Sequence, residues 1–264
     1  MNPATPLIAL AATGLPFAFL GWKWELGSRA VLPRLVLFVL LNSLLAWLFG
    51  IEEPLQIILL CWLMLLLEVP ASILPFFYRD PERTSQADPT VVLSPADGHV
   101  VYVKKITGGS MPLCTKKGRS FTPVELSGID GLPTEGYLVG IGMSFLDVHV
   151  TRTPITGRVS VLKRVPGIFM SLKRPEAVAR NERLSMLIEG EDITLAVILI
   201  ASRLIRRIVP FVSEGDHLQR GDRTGIIKLG SQVDIILPLE RVEAITVSTG
   251  ATVKAGVTPI ARLK

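Results

Sequence analysis

Cysteine is nearly absent from this sequence: two occur in 264 residues, Cys61 inside an apolar run and Cys114 in a polar one. Two cysteines so placed make no disulfide framework, and a reducing compartment is expected. Histidine is scarce too. His99, His149 and His217 are the complete set, so any imidazole chemistry must come from one of three positions. Charged residues make up only 19% of the chain, and no basic run is interleaved with aromatics. The net charge of +5 and pI near 9.4 therefore do not read as a nucleic-acid surface. They suit a protein lying against anionic lipid, where each basic group near the surface gains on the order of 1 kcal/mol.

What the chain has in excess is apolar residues, 49% of the total, and they sit at one end. Residues 1–78 are dominated by Leu, Ile, Val, Ala, Phe and Trp, whereas the chain from Arg79 onward has an ordinary mix of charges. Leu35 to Ile51 and Leu55 to Phe77 are each long enough to cross a bilayer, separated by the acidic turn Gly50-Ile51-Glu52-Glu53-Pro54. Leu7 to Trp22, interrupted by Gly14 and Pro16, reads as an interfacial or re-entrant segment. Lys23, Arg29 and Arg34 precede the pair of spans, and Arg79 and Arg83 follow it. The positive-inside rule then puts both ends in the cytoplasm and the acidic turn outside; a hairpin dipping into one leaflet is the alternative. Glu68 inside the second run requires a partner on the facing helix or a place near a helix end. Phe76 to Arg83 reads as an interface anchor.

Residues 79–264 read as mostly β with few helices. Val91-Val92-Leu93 is a strand ending in the turn Ser94-Pro95-Ala96-Asp97-Gly98, and Val100 to Val103 continues as a strand. Lys104 to Gly136, rich in glycine and proline, reads as a long loop. Tyr137 to Met143 is a strand. In Leu146-Asp147-Val148-His149-Val150 the polar and apolar residues alternate, so a strand there would put Asp147 and His149 on one face. Further strands are expected at Gly157 to Leu162 and Ile205 to Val212, a hairpin at Leu184 to Glu189 and Asp192 to Ile200, and a short helix at Pro175 to Arg180.

A repeat closes the chain. Val212-Ser213-Glu214-Gly215 through Gly221 matches Val247-Ser248-Thr249-Gly250 through Gly256, at an offset of 35. Glycine at the same phase in both copies points to matching positive-φ turns. Such paired halves build barrel-sandwich folds, and Gly98-His99-Val100 and Gly157-Arg158-Val159 look like equivalent strand openings upstream. Between the two copies lies Leu229-Gly230-Ser231. Gly27-Ser28 and Gly109-Ser110 are other Gly-Ser pairs, and most such pairs are plain turns. Here a glycine lets the backbone bend so that the serine hydroxyl can reach the preceding carbonyl carbon.

Four stretches in this order resemble the phosphatidylserine decarboxylase family, in its shorter membrane-anchored branch: FFYRDPER at 76–83, SPADG at 94–98, DVHVTR at 147–152 with NER at 181–183, and LGS at 229–231. The resemblance implies a proenzyme that cuts itself between Gly230 and Ser231, turns Ser231 into a pyruvoyl group and uses no metal. The products, ending at Gly230 and beginning at residue 231, would stay together as a heterodimer. It further implies that His149 activates Ser231 and that Asp97 orients or charges His149. His149 is also the matched candidate to protonate the substrate carbon after carbon dioxide leaves. Where the longer bacterial branch has a second histidine, this chain has Arg152, whose charge suggests a contact with the substrate's carboxylate or phosphate. The substrate would be a membrane phospholipid, phosphatidylserine or its ether-linked counterpart archaetidylserine. A non-enzymatic, membrane-tethered barrel-sandwich carrier is the competing reading. It calls for a lysine at a hairpin tip between the repeats, and Lys228, the only lysine there, is not in an Asp-Lys turn.

Overall fold

The computed structural model describes residues 4–23, 28–85, 88–112, 120–144, 146–172, 174, 176–202, 207–227 and 231–264. The chain forms two compact units, Met1–Tyr78 and Arg79–Lys264.

The first unit is helical: α1 (Thr5–Ala9), a π-helical turn (Leu10–Gly14), α2 (Leu15–Lys23), α3 (Ser28–Leu48) and α4 (Pro54–Phe77). Gly14 and Pro16 do not break the first segment: Gly14 closes the π turn and Pro16 is the second residue of α2. Proline opens α4 at a position whose N–H would have no helical partner. Val31–Leu48 and Pro54–Ser72 are long and apolar enough to cross a membrane. Glu68 is buried, and its carboxylate accepts a hydrogen bond from Asn42 Nδ2 on α3 at 2.9 Å. Asn42 also donates to the Phe38 carbonyl at 2.9 Å. The blemish in the second apolar run thus pairs with the blemish in the first through one oxygen of Glu68.

The second unit is mainly β. Its strands are β1 (Val91–Leu93), β2 (Gly98–Ile106), β3 (Met111–Pro112), β4 (Ser120–Phe121), β5 (Gly136–Met143), β6 (Val150–Arg152), β7 (Gly157–Val165), β8 (Arg183–Glu189), β9 (Thr194–Ala201), β10 (Ile208–Pro210), β11 (His217–Leu218), β12 (Arg223–Ile227), β13 (Ser231–Pro238), β14 (Val242–Ile245), β15 (Thr252–Val253) and β16 (Pro259–Leu263). Eight of them form one sheet in the order β11-β7-β8-β9-β13-β5-β2-β15. Among the described residues the others form β1-β16-β14, β10-β12-β6 and β3-β4. The stretch read as a long loop holds β3, β4 and the short helix α5 (Pro123–Ser127), which a Thr122–Glu125 capping box starts and Gly128 ends in the left-handed region. A second short helix, α6 (Ala177–Arg180), lies within the expected helical stretch.

Both faces of the large sheet are buried. One carries Val100, Ile141, Val233, Ile235 and their neighbours; the other carries Leu138, Ile198 and Ile236 beneath Leu126 and Val178 of the two short helices. Each such side chain contributes about 1.5–3 kcal/mol on burial. All eight residues of β13 are buried.

The repeat seen in the sequence is half of a larger internal symmetry. Thr252 and Val253 pair with His99 and Gly98, as His217 and Leu218 pair with Arg158 and Gly157. The upstream match is therefore real, at an offset of 59. Gly250 N donates to Val100 O at 2.8 Å, as Gly215 N does to Val159 O at 2.8 Å. Gly256 N donates to Ser94 O at 2.8 Å, as Gly221 N does to Thr153 O at 3.0 Å. Bulges fall at Val100/Tyr102 in one half and Val159/Val161 in the other. Rows of cross-strand partners correspond as well: Val100, Ile141 and Val233 match Val159, Ile188 and Leu195, while Tyr102, Gly140 and Asp234 match Val161, Leu187 and Ala196.

Gly98 is fixed twice over, by a φ of 140° and by a Gly142 carbonyl oxygen 2.2 Å from where a Cβ would sit. Gly98→Ala is expected to cost roughly 3 kcal/mol or more by forcing β2 away from β5. A drop in the denaturant midpoint of that size checks it, and an unchanged midpoint counts against this packing.

Candidate active site

Ser231 opens β13, which is hydrogen-bonded on both sides: Ser231 lies opposite Met143 of β5 and Ala201 of β9. Its side chain is 2% exposed, and its hydroxyl donates to the Met143 thioether at 3.0 Å. Gly230, on the other side of the bond expected to be cut, lies outside the described residues.

Asp97 ends the turn before β2, and Gly98 brings that turn against Gly142 and Met143, the residues paired with Gln232 and Ser231. The carboxylate of Asp97 accepts from Ala255 N at 2.8 Å. In the other half Thr156 occupies the equivalent place, and its hydroxyl accepts from Arg220 N at 3.1 Å. The turn thus needs an acceptor at this point and a hydroxyl suffices; the negative charge of Asp97 is an addition. That charge is met by Arg83, whose guanidinium donates to both carboxylate oxygens at 2.5 and 2.8 Å and to the Ala255 carbonyl at 2.9 Å.

His149 is fully buried. Its carbonyl accepts from Ile227 N at 3.2 Å, which ties it to the last described residue before the 228–230 stretch. Its Nδ1 lies 2.8 Å from the Asp147 carbonyl oxygen. A carbonyl can only accept, so Nδ1 carries the proton and Nε2 of the neutral ring has the lone pair. Burial pushes the imidazole below its ordinary range, against the raising effect of Asp147, while Arg79 lowers it further and Asp97 raises it through space.

The alternation at 146–150 does not make a strand with Asp147 and His149 on one face. Strand β6 starts only at Val150, because the Asp147 carboxylate accepts from Ser144 N at 2.6 Å and closes a turn. Asp147 therefore orients the histidine through its backbone. Arg152 is not an open cation. It is 4% exposed, and its guanidinium donates to the carbonyls of Gly221 at 2.8 Å and Pro81 at 3.0 Å and to Asp80 at 3.1 Å.

The group that sequence reasoning missed is Arg83, with the segment leading to it. Read as a headgroup anchor, Arg79 to Arg83 is in addition a strap. Arg79 donates to the Leu146 carbonyl at 2.6 Å, Asp80 pairs with Arg152 and Arg223, Glu82 with Arg223 at 2.6 Å, and Arg83 with Asp97. The available signal was two acidic residues around one proline, bracketed by two arginines, which lipid headgroups alone do not require.

The profile of the phosphatidylserine decarboxylase family matches residues 73–261. A phosphatidylserine decarboxylase proenzyme of Ruegeria pomeroyi is 39% identical over 191 residues, 72% of this chain and 78% of the relative. One of Beijerinckia indica is 38% identical over 186 residues, covering 70% and 72%. A protein of Methanopyrus kandleri, provisionally named an archaetidylserine decarboxylase proenzyme, is 36% identical over 195 residues, covering 74% and 84%.

Proposed function

The chain belongs to the phosphatidylserine decarboxylase family, and on that premise we propose that it is a proenzyme that cuts itself before Ser231 and decarboxylates the serine headgroup of a membrane phospholipid. The observation that carries the reading is Asp97: the turn it occupies is built in the other half with the neutral Thr156, so the turn itself does not call for a charge.

His149 takes the Ser231 hydroxyl proton at Nε2, as a weak serine nucleophile requires. The oxygen attacks the Gly230 carbonyl, the C–N bond breaks, and the proton passes to the freed nitrogen, leaving an ester. Loss of the residue 231 α-proton and cleavage of its Cβ–O bond release the Gly230 carboxylate. Water then replaces the nitrogen at Cα and ammonia departs. The surroundings of Ser231 fit the uncharged pyruvoyl group that results, since its paired neighbours Met143 and Ala201 are uncharged and the site is buried. That group supplies a carbonyl for the substrate amine and a sink for the electrons left by carbon dioxide. His149 then returns a proton to the substrate, a use open to an imidazole.

The apolar helices α3 and α4 hold this domain at the bilayer, with the catalytic unit on the cytoplasmic side by the distribution of arginines. Ester- and ether-linked lipids carry the same amino-carboxylate headgroup, so the substrate is phosphatidylserine or, as the alternative, archaetidylserine. Intact-mass measurement of the full chain in lipid tests the reading. Two species are expected, one ending at Gly230 and one of 34 residues with a blocked N-terminus; a single 28.8 kDa species would sink it. Asp97→Asn keeps an acceptor for Ala255 N and for the Arg83 guanidinium and should fold, yet cut at least about a hundredfold more slowly. Wild-type cutting by this variant would remove Asp97 from the chemistry.

A further inference from the structure

One buried polar cluster is not used by the chemistry above. Tyr102 Oη donates to Asp234 Oδ2 at 2.6 Å, and Gln232 Nε2 donates to Tyr102 Oη at 2.6 Å and to Asp234 Oδ1 at 2.7 Å. The three groups close a ring of hydrogen bonds across three strands, from β2 over β5 to β13. It can span β5 because Gly140 has no side chain: a Cβ there would lie 2.5 Å from the Tyr102 ring and 3.0 Å from Asp234 Oδ1. Among the described residues no cation pairs with the carboxylate, and burial pushes Asp234 up to about 7.

The fold does not need this ring. The matching row in the other half, Val161, Leu187 and Ala196, is apolar. A buried carboxyl is costly, and it is found only in the half that contains Ser231. Gln232 is the next residue after Ser231, and Asp234 follows two positions later on the same face of β13, opposite to the face carrying Val233 and Ile235.

We propose that Tyr102, Gln232 and Asp234 form a brace that holds the head of β13 in place once the chain is cut, positioning residue 231 for catalysis. The inference rests on the self-cutting reading above. Cutting turns the middle of a chain into a strand terminus, and strand termini fray. Frayed by even one residue, the group at 231 would leave its seat between Met143 and Ala201. The ring fixes residue 232 to a strand two places away through side chains, which survive the cut.

The experiment uses the full chain in lipid nanodiscs. Gln232→Met and Tyr102→Phe keep volume and remove the ring's donors, and Ile236→Val is a core control in the same strand. Both brace variants are expected to be cut. Amide hydrogen exchange over residues 232–235 should then rise about tenfold relative to β9, and turnover of phosphatidylserine should fall about tenfold in kcat with KM within about twofold. Gly140→Ala should reproduce this by displacing the ring without altering its polar atoms. Exchange and kcat like the wild type in Gln232→Met and Tyr102→Phe would overturn the brace. So would added exchange spread evenly over β5, β9 and β13, as expected for Ile236→Val. A wild-type chain that stays whole would instead overturn the self-cutting reading, and the mass of the wild-type sample separates the two failures.

Discussion

Ser231→Ala is expected to accumulate as one intact 28.8 kDa chain and to release no carbon dioxide from phosphatidylserine. The variant should fold, because among the described residues the hydroxyl makes a single hydrogen bond, to the Met143 thioether. Losing it costs about 1 kcal/mol or less, while the ladder to β5 and β9 is untouched. The effect on chemistry is total because the hydroxyl is both the attacking group and the source of the carbonyl on which turnover depends. Gel mobility and intact mass read the first effect, and release of labelled carbon dioxide reads the second. Cutting in the Ser231→Ala variant would show that the nucleophile lies elsewhere.

His149→Ala is expected to slow cutting by about 10²–10⁴, the usual worth of a positioned proton acceptor. His149→Gln should do the same while retaining an N–H for the Asp147 carbonyl, which separates loss of the base from loss of packing. The pH dependence has a definite sign. Burial holds the folded imidazole below its ordinary value of 6.5, so the base form is present at pH 7. Cutting should be level above about pH 6.5 and fall as pH drops through the folded value. Stability moves in the same direction: the unfolded chain takes the proton first, so the contribution of neutral His149 is full above the unfolded value and is lost as pH falls through the folded one. A time course of cutting from pH 5 to pH 8 checks this, and a rate that rises toward acid would reverse the assignment of His149 as base.

Much of this architecture was legible in the sequence because it is written in local terms. The apolar end, the glycines that require positive φ at 215, 221, 250 and 256, and the alternating strands all show within a dozen residues. The equivalence of the Gly98 and Gly157 strand openings was visible as a short match. Its meaning emerged only from register, with Asp97 and Thr156 doing the same backbone work. Asp147 misled because alternation is satisfied equally by a strand and by a turn that an aspartate closes on its own backbone. The Tyr102–Gln232–Asp234 ring could not be read at all: its members are separated by up to 132 positions, and the residue that makes room for it, Gly140, leaves no pattern. Arg83 was hidden differently, inside a stretch whose place after an apolar helix already had a sufficient explanation.

The Arg83 contacts also bear on when the chemistry can begin. Arg83 reaches Ala255 across 172 residues, and β1 and β2 pair with β16 and β15, formed from the last residues of the chain. At synthesis rates of about 5–20 residues per second, Asp97 waits on the order of ten seconds or more for Ala255 N and for the carbonyl that seats Arg83. Until the final strands are made, the turn carrying Asp97 lacks two of its hydrogen bonds and the sheet beside Ser231 lacks an edge. On the self-cutting reading proposed above, cutting would wait until translation has delivered the whole chain, and a truncated product would lack the geometry to sever itself.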